Sequence, residues 1–358
     1  MFYRLSGQFK TSYAQDSQLF PERLDRRIFV LIMLVATCVI PLFASPYLLS
    51  AILTPFLVFA LAALGLNILT GYAGQVSFGS AALMAVGAFA SYNILLRLPF
   101  MPSLLAFILA GLCAAAVGVV FGLPSLRIRG FYLAASTLAT QFFILWCLTR
   151  IGWFTNNSAS GVIAAQDVAP LGFQLDSPVR KYLFVLAVVT VLAVLASNLV
   201  RSNSGRCWMA VRDMDVAAEA IGVNLLHAKL TAFAVSSFYC GMAGALYAYA
   251  YVATVEPEAF SLDLSFKILF MIIIGGLGSI LGSFLGAAFM ILLPIGLNIA
   301  FETLERLSGI ALPSGLSSHV EIVLFGVLII FFLAVEPHGL ARLWQIAKTK
   351  LQTWPLPH

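Results

Sequence analysis

The stretch KYLFVLAVVTVLAVLASNLV, residues 181–200, decides the fold class, because it has the length and apolar character of a membrane-crossing segment. A helix needs about 20 apolar residues to cross the hydrocarbon core of a bilayer. Similar runs recur from about Phe29 to Val335. In hydrocarbon only helices and closed barrels satisfy every backbone polar group, and these runs lack the alternation of barrel strands. The sequence therefore predicts an all-α, polytopic membrane helical bundle.

The composition supports this prediction across all 358 residues. Hydrophobic residues make up 61% of the chain and charged residues 10%, with a mean hydropathy of +0.99. A soluble domain with a polar surface does not reach these values. The net charge of +5 comes from basic residues that lie between the apolar runs. We therefore interpret the charge as a topology signal and expect no nucleic-acid partner.

Ten membrane spans are predicted. They lie at about 29–49, 51–70, 76–96, 103–123, 131–149, 181–200, 229–252, 265–276, 280–301 and 319–336. The eighth is short and ends at the cluster Gly275, Gly276 and Gly278. It is either a broken or re-entrant helix, or it runs on into the ninth span.

The distribution of basic residues predicts that both termini face the cytoplasm. With ten crossings and an inside N-terminus, 14 of the 20 lysines and arginines fall on the inner side and 6 on the outer side. The predicted parts are a cytoplasmic segment 1–28, a transmembrane domain 29–336 and a cytoplasmic tail 337–358. An outer loop spans about 150–180, and a charged inner loop spans about 201–228.

The inner loop has the sequence pattern of a short helix. Asp213 and Asp215 carry the negative charge that is favoured at a helix N-terminus. Val216–Ile221 is the predicted body of the helix, and Gly222 is predicted to end it. From the residues alone, an ordinary solvated loop helix remains an alternative to a docking segment.

Catalytic and nucleotide-binding patterns are missing from the sequence. The four histidines (His227, His319, His338 and His358) are scattered, and no HExxH, GxSxG or CxxC motif occurs. No lysine follows a glycine, so there is no Walker A loop. We expect no catalytic residue, no metal and no cofactor on this chain. If a nucleotide drives transport, another subunit binds it.

The nearly charge-free spans argue against a carrier coupled to protons or sodium, which places ionisable groups in the membrane. A stand-alone secondary transporter or channel for a small solute remains the alternative reading.

Glycine and hydroxyl-bearing residues inside the spans are the candidates for a translocation pathway. These candidates are Gly74, Gln75, Ser77, Ser80, Thr137 and Thr140. Small residues expose backbone to a polar cavity, but they also serve close helix packing, and both readings stay open. The stretch GGLGSILGSFLGA, residues 275–287, is interpreted as a packing motif. Its glycines are Gly275, Gly276, Gly278, Gly282 and Gly286.

Several motifs resemble one transporter family. They are LNILTGYAGQVSFGSAAL (66–83), LRIRGFYLAASTLA (126–139), GRCWMAVRDMDVAAEAIGVNLLHAKLTAF (205–233), SFYCGMAGALYA (237–248), the 275–287 stretch and EPHGL (336–340). In this order they resemble the M-type permease subunit of branched-chain amino-acid ABC importers. The resemblance covers about residues 50–345.

This resemblance implies a multi-pass subunit of the bacterial inner membrane. Its implied partners are a second, similar permease, two cytoplasmic ATPase subunits that carry ATP–Mg, a periplasmic solute-binding protein and membrane lipid. In similar permeases the R-D-x-x-A-A-E-A-x-G stretch docks into a groove on the ATPase. Here that stretch assigns ATPase coupling to Arg212, Asp213, Ala217, Ala218, Glu219, Ala220 and Gly222.

Two departures from the family pattern leave the substrate open. Ser80 stands where similar chains usually have histidine, and Thr155–Gly161 replaces a T-G-G-x-x-G motif in the outer loop. Branched-chain amino acids are implied by the resemblance. Other amino acids, short amides such as urea, and aliphatic or aromatic carboxylates remain candidates.

Overall fold

The structure, a computed structural model, describes residues 12, 23–98, 100–125, 131–158, 162–164, 177–308, 316–335 and 339–353. Within these residues the chain is almost entirely helical. The two short strands β1 (Ile163–Ala164) and β2 (Thr254–Val255) pair antiparallel, with Ile163 opposite Val255.

The described residues up to Arg201 contain six long helices. Helix α1 begins with Arg23–Leu34 and continues through a π-helical turn, Val35–Val39, to Ile40–Phe43. Helix α2 covers Leu48–Tyr72, with π-helical turns at both ends. They are followed by α3 (Ser80–Arg97), α4 (Ser103–Ser125), α5 (Phe131–Arg150) and α6 (Pro178–Arg201).

Two short helices then precede the second set of long helices. They are α7 (Asn203–Asp213) and α8 (Asp215–Ala220). Helix α9 (Leu225–Leu246) continues through a π-helical turn, Tyr247–Val252, and a 3-10 turn follows at Pro257–Phe260. The remaining helices are α10 (Leu262–Gly275), α11 (Ile280–Ser308), α12 (Leu316–Val335) and α13 (Gly339–Thr353).

Eight segments of the described residues are long and apolar enough to cross a membrane. They fall in α1 to α6, α9 and α11, so the chain is a multi-pass membrane protein. The predicted spans 265–276 and 319–336 correspond to α10, which has 14 residues, and to α12, whose apolar part is Ile322–Phe332. The count of ten spans therefore stays a prediction.

The structure revises the start of the third span and decides between the two alternatives for the eighth. The third span begins at Ser80 rather than 76, because Gly74 has a left-handed φ of +69° and residues 74–79 are not helical. The eighth predicted span does not run on into the ninth, since α10 ends at Gly275 and Gly276 has a φ of +119°. Part of the predicted tail 337–358 forms the helix α13.

Helix α9 lies at the centre of the bundle and packs against α2, α3 and α4. Small residues allow its backbone to approach theirs. A Cβ atom at Gly87 would overlap the Gly241 carbonyl, and one at Gly244 would overlap the Met84 carbonyl. Lipid provides no hydrophobic driving force between helices, so such close packing is a main source of helix association.

Helices α10 and α11 form a second tightly packed pair beside α2. Three of the glycines from the 275–287 stretch lie where the pair crosses. A Cβ atom at Gly275 would overlap the Gly282 carbonyl, and one at Gly286 would overlap the Met271 carbonyl. The turn between the two helices is therefore held in close contact with both of them.

Candidate functional site

The loop between α6 and α9 carries the candidate site and contains the two helices α7 and α8. In α8 the Asp215 carboxylate accepts a hydrogen bond from the Val216 N–H at 2.9 Å, as expected for an acidic residue in a first turn. The expectation for Asp213 is wrong, because it is the last residue of α7 rather than an N-terminal residue of the loop helix. Met214 takes an extended conformation between the two helices, which separates them.

Gly222 ends α8 as predicted. Its φ is +89°, a conformation that other residues rarely adopt. The Gly222 N–H donates to the Glu219 carbonyl at 2.9 Å, and the Val223 N–H donates to the Ala218 carbonyl at 3.0 Å. This pair of hydrogen bonds is a Schellman motif, which satisfies the last carbonyls of a helix.

The side of this loop that faces away from the helical bundle exposes large apolar side chains. Met214, Val216, Ile221 and Leu226 are 69%, 70%, 78% and 54% exposed. We call these four residues, together with the exposed Asp213, Ala217, Glu219, Ala220 and Gly222, the loop surface. Ala218 does not belong to it, because that residue is 2% exposed and faces the bundle. Of the seven predicted coupling residues, Ala218 is buried, the Arg212 side chain is 37% exposed, and the other five belong to the loop surface.

Arg212 reaches into the bundle. One of its terminal nitrogens donates a hydrogen bond to the Gly71 carbonyl at 2.8 Å. Its Nε and its other terminal nitrogen contact the Asp213 carboxylate at 2.9 and 2.8 Å. The aliphatic part of the side chain lies over Gly74, where a Cβ atom would meet the Arg212 Cγ at 2.8 Å. Arg212 therefore connects the loop to the end of α2.

Asn67 extends this connection to the turn between α10 and α11. It is fully buried. Its side-chain oxygen accepts from the Gly278 N–H at 2.9 Å, and its amide donates to the Ser279 carbonyl at 2.7 Å and to the Ser283 hydroxyl at 2.9 Å. We call Arg212, Gly71, Asn67 and Gly278 the Arg212 junction. Sequence reasoning missed Asn67, although an asparagine within the apolar run LGLNIL was a signal for it.

The predicted pathway residues lie on and around the non-helical segment 74–79. Ser77, Ser80 and Gln75 are at most 3% exposed. The Thr137 hydroxyl, 6% exposed, accepts a hydrogen bond from the Phe78 N–H at 3.0 Å. Thr140 is half-buried and bonds within its own helix, to the Ser136 carbonyl at 3.0 Å. Within the described part of the chain, neither the amide group of Gln75 nor the hydroxyl of Ser80 has a hydrogen-bond partner.

The first turn of α3 is held by polar side chains from two other helices. The Ala81 N–H donates to the Ser265 hydroxyl at 2.9 Å, and the Ala82 N–H donates to the Gln141 side-chain oxygen at 2.8 Å. The Gln141 amide in turn donates to the Phe260 carbonyl at 2.9 Å. Helix N–H groups in a membrane interior need such partners. Ser265 was not among the predicted site residues.

The outer-loop residues that depart from the family pattern begin in a tight turn. Asn156 and Asn157 both have left-handed φ values, +50° and +56°. The Phe154 carbonyl accepts a hydrogen bond from Asn93, and the Arg97 guanidinium lies 3.5 Å from the ring centre of Trp153. These contacts fix the turn to the end of α3. Residues 159–161 of the departure lie outside the described residues.

No cluster of three or more His, Cys, Asp or Glu suited to a metal ion occurs in the part of the chain that the structure describes.

Comparison with known proteins places the chain in a family. The family model described as branched-chain amino acid transport system, permease component, matches residues 48–333. The LivM permease proteins of the high-affinity branched-chain amino acid transport systems of Salmonella typhimurium and Escherichia coli are each 28% identical over 293 residues. That alignment covers 75% of this chain and 68% of each relative.

A probable branched-chain amino acid transport permease protein LivM of Methanocaldococcus jannaschii is 27% identical over 329 residues, covering 82% of this chain and 93% of the relative. No solved structure matches the chain. Because the family model covers most of the bundle described above, the chain belongs to the family of branched-chain amino acid transport system permease components.

Proposed function

We propose that this chain is the solute-translocating subunit of an ATP-driven importer in the bacterial inner membrane. Its substrates are branched-chain or related amino acids, as the names of its relatives support. In this proposal it pairs with a second permease, receives solute from a periplasmic binding protein, and is driven by two cytoplasmic ATPase subunits that bind ATP–Mg. The chain itself carries out no covalent chemistry.

The exposure of apolar side chains on the loop surface is the observation that carries this proposal. Burial of a Val, Ile or Met side chain is worth about 1.5–3 kcal/mol relative to exposure. Met214, Val216 and Ile221 are each at least two-thirds exposed, on a loop outside the membrane-spanning helices. A protein groove that covers them gains this free energy, which supports a docking partner.

The charges of the loop surface support a specific orientation of that partner. Asp213 and Glu219 flank the exposed apolar side chains. Charged residues at the rim of an interface set its register and its association rate more than its affinity. The small Ala217 and Ala220 leave room for close insertion of α8. We infer that α8 enters a groove on the ATPase with its Val216 and Ile221 side chains buried there.

The Arg212 junction then provides the mechanical link. A movement of α8 is carried through Arg212 to the end of α2, and through Asn67 to the turn between α10 and α11. The segment 74–79 follows α2 directly and holds the pathway candidates Gly74, Gln75 and Ser77, and the ring of its Phe78 packs against Phe266 of α10. In an alternating-access cycle, closure of the ATPases shifts these elements and reopens the solute cavity to the other side.

The deciding experiment is the double variant Glu219→Arg, Gly222→Pro. Proline cannot adopt the φ of +89° at position 222, and its missing N–H removes the bond to the Glu219 carbonyl. If distortion of α8 withdraws Val216 or Ile221 from the groove, about 1.5–3 kcal/mol of burial is lost, and a loss of about 2 kcal/mol weakens the complex about 30-fold. We expect the variant to reach the membrane, lose the ATPases on co-purification and lose solute uptake.

The matched control is the charge reversal Glu302→Arg, since Glu302 is an exposed carboxylate on α11 away from the loop. It should leave ATPase retention and uptake unchanged. If the double variant retains both, the docking proposal is wrong. Reconstitution of the chain alone in liposomes tests the alternative, because solute flux driven by an ion gradient without other subunits indicates a secondary transporter.

A further inference from the structure

Helix α13, with the sequence GLARLWQIAKTKLQT, has an amphipathic pattern. Leu340, Leu343, Trp344 and Ala347 follow the spacing i, i+3, i+4 and i+7, which places them on one stripe of a helix. The helix has three basic residues (Arg342, Lys348 and Lys350) and no acidic residue. Such a helix is amphipathic and strongly basic.

The beginning of α13 is fixed against the bundle. Gly339 has a φ of +62°, and its backbone lies against the turn between α10 and α11, where a Cβ atom would meet the Gly276 nitrogen at 2.6 Å. Ala341 is 3% exposed. This turn also contains Gly278 of the Arg212 junction. Helix α13 therefore starts at the same end of the bundle as the loop surface, directly after the apolar helix α12.

Beyond Ala341 the apolar stripe is only partly covered by the described residues of the bundle. Leu343 and Trp344 are each 46% exposed. At 100° per residue, Lys348 and Lys350 lie on opposite flanks of the stripe formed by Leu340, Leu343, Trp344 and Ala347. An apolar stripe between two lysines fits a helix that lies in the membrane surface, with the stripe in the acyl region and the ammonium groups at headgroup level.

We propose that α13 is an interfacial helix that binds the cytoplasmic membrane surface through anionic phospholipid headgroups. Trp344 lies at the depth that tryptophan prefers, between acyl chains and headgroups. Each lysine near an anionic leaflet contributes attraction, which a neutral leaflet does not provide. Because the start of α13 rests on the α10–α11 turn, the lipid contact holds that turn at a fixed height relative to the membrane.

The charge of the helix favours lipid over a protein partner. The loop surface at the same end of the bundle also exposes apolar side chains, but its flanking charges are the acidic Asp213 and Glu219. Helix α13 has only basic charges next to its apolar stripe. The two surfaces therefore differ in the sign of charge that they attract, and the phosphate groups of lipids complement only α13.

Photo-crosslinking in the full chain tests the proposal. The photoreactive amino acid benzoylphenylalanine replaces Leu343 or Ala347 on the stripe, and Gln345 or Thr349 on the opposite face as matched controls. The chain is reconstituted in phosphatidylcholine liposomes with or without phosphatidylglycerol, and lipid adducts are measured by mass spectrometry. We expect adducts at positions 343 and 347 to exceed those at 345 and 349 by about 5-fold or more, given burial of one face only.

The charge dependence is tested with the variant Lys348→Gln, Lys350→Gln. In the unmodified helix we expect phosphatidylglycerol to increase the adducts at position 343, and in the variant this increase should disappear while the yield in phosphatidylcholine stays the same. Equal labelling at all four positions would overturn the proposal. Adducts to a protein subunit instead of lipid at position 343, measured in native membranes, would also overturn it. If phosphatidylglycerol does not change the yield of lipid adducts at position 343, the proposed headgroup contact is refuted.

Discussion

The Arg212 guanidinium donates a hydrogen bond to the Gly71 carbonyl at 2.8 Å, although 141 positions separate the two residues. The same side chain holds the Asp213 carboxylate on the loop surface. One planar group thus contacts both the exposed loop and the end of α2. Arginine suits this position because its fork of N–H donors serves two acceptors in fixed directions.

Substitution of Arg212 should separate ATPase binding from transport. In Arg212→Ala the Gly71 contact is lost while the apolar side chains of the loop surface remain. We expect uptake to fall by about 10-fold or more, the equivalent of about 1.4 kcal/mol, with ATPases still bound. Arg212→Lys should be nearly as defective, since a single ammonium cannot reproduce the fork. The measurement is uptake and ATPase co-purification from the same membranes.

Glu219→Ala provides the contrast for that experiment, because Glu219 is exposed on the loop surface and is not a residue of the Arg212 junction. It should weaken ATPase co-purification and leave the thermal stability of the isolated chain unchanged. If Arg212→Ala loses the ATPases as completely as Glu219→Ala does, Arg212 acts at the interface and not as a link.

Replacement of Asn67 should destabilise the bundle. Asn67→Leu keeps the number and branching of the side-chain heavy atoms but leaves the Gly278 N–H, the Ser279 carbonyl and the Ser283 hydroxyl without this partner. Each buried polar group left unsatisfied costs about 1–3 kcal/mol. We expect a clear decrease in the melting temperature of the purified chain. Thr140→Val serves as the control, since Thr140 is half-buried and its hydroxyl bonds to the Ser136 carbonyl of its own helix. An equal decrease in both variants would contradict the special role of Asn67.

The crossing of α10 and α11 should not tolerate a methyl group at Gly286. A Cβ atom there overlaps the Met271 carbonyl, which is backbone and cannot turn away. Overpacking of this kind costs about 1–3 kcal/mol or more. We expect Gly286→Ala to reduce both the membrane yield and the melting temperature of the chain.

Gly296 on the same helix is the control for that variant, because a Cβ atom there meets nothing within 4 Å. Gly296→Ala should be neutral or stabilising by about 0.5–1 kcal/mol, as expected for glycine replacement inside a helix. Equal losses of yield in both variants would show that the tight crossing is not the cause.

Removal of the Gln141 side chain should loosen the first turn of α3. Gln141→Leu leaves the Ala82 N–H and the Phe260 carbonyl without their partner. Gln141→Glu keeps an acceptor for Ala82 but no longer donates to Phe260 when ionised. We therefore expect both variants to lower the melting temperature, with Gln141→Glu partly rescued at low pH, where the carboxyl group is protonated and donates. If Gln141→Leu melted at the same temperature as the unmodified chain, this assignment would be contradicted.

Local patterns predicted several parts of the molecule correctly. Runs of apolar residues predicted the membrane helices, because the cost of unpaired backbone in hydrocarbon leaves few other structures. Gly222 was predicted to end the loop helix, since a left-handed residue after a short helical segment is a local property of the chain. Asp213 was assigned wrongly because the extended residue Met214 divides the loop into two helices, and no local signal marks that break.

What the sequence by itself determined is therefore the membrane bundle, its family and the position of the charged loop, all of which follow from hydrophobicity, capping and motif order. Only the tertiary structure decided that Arg212 turns toward Gly71 and that Asn67 holds the Gly278 turn. The partners in these two contacts are separated in the sequence by 141 and by 211 positions. The geometry of each contact depends on how closely the helices of the bundle pack. Periodicity and local propensity describe single segments, so they contain no information about which backbone carbonyl a distant side chain will reach.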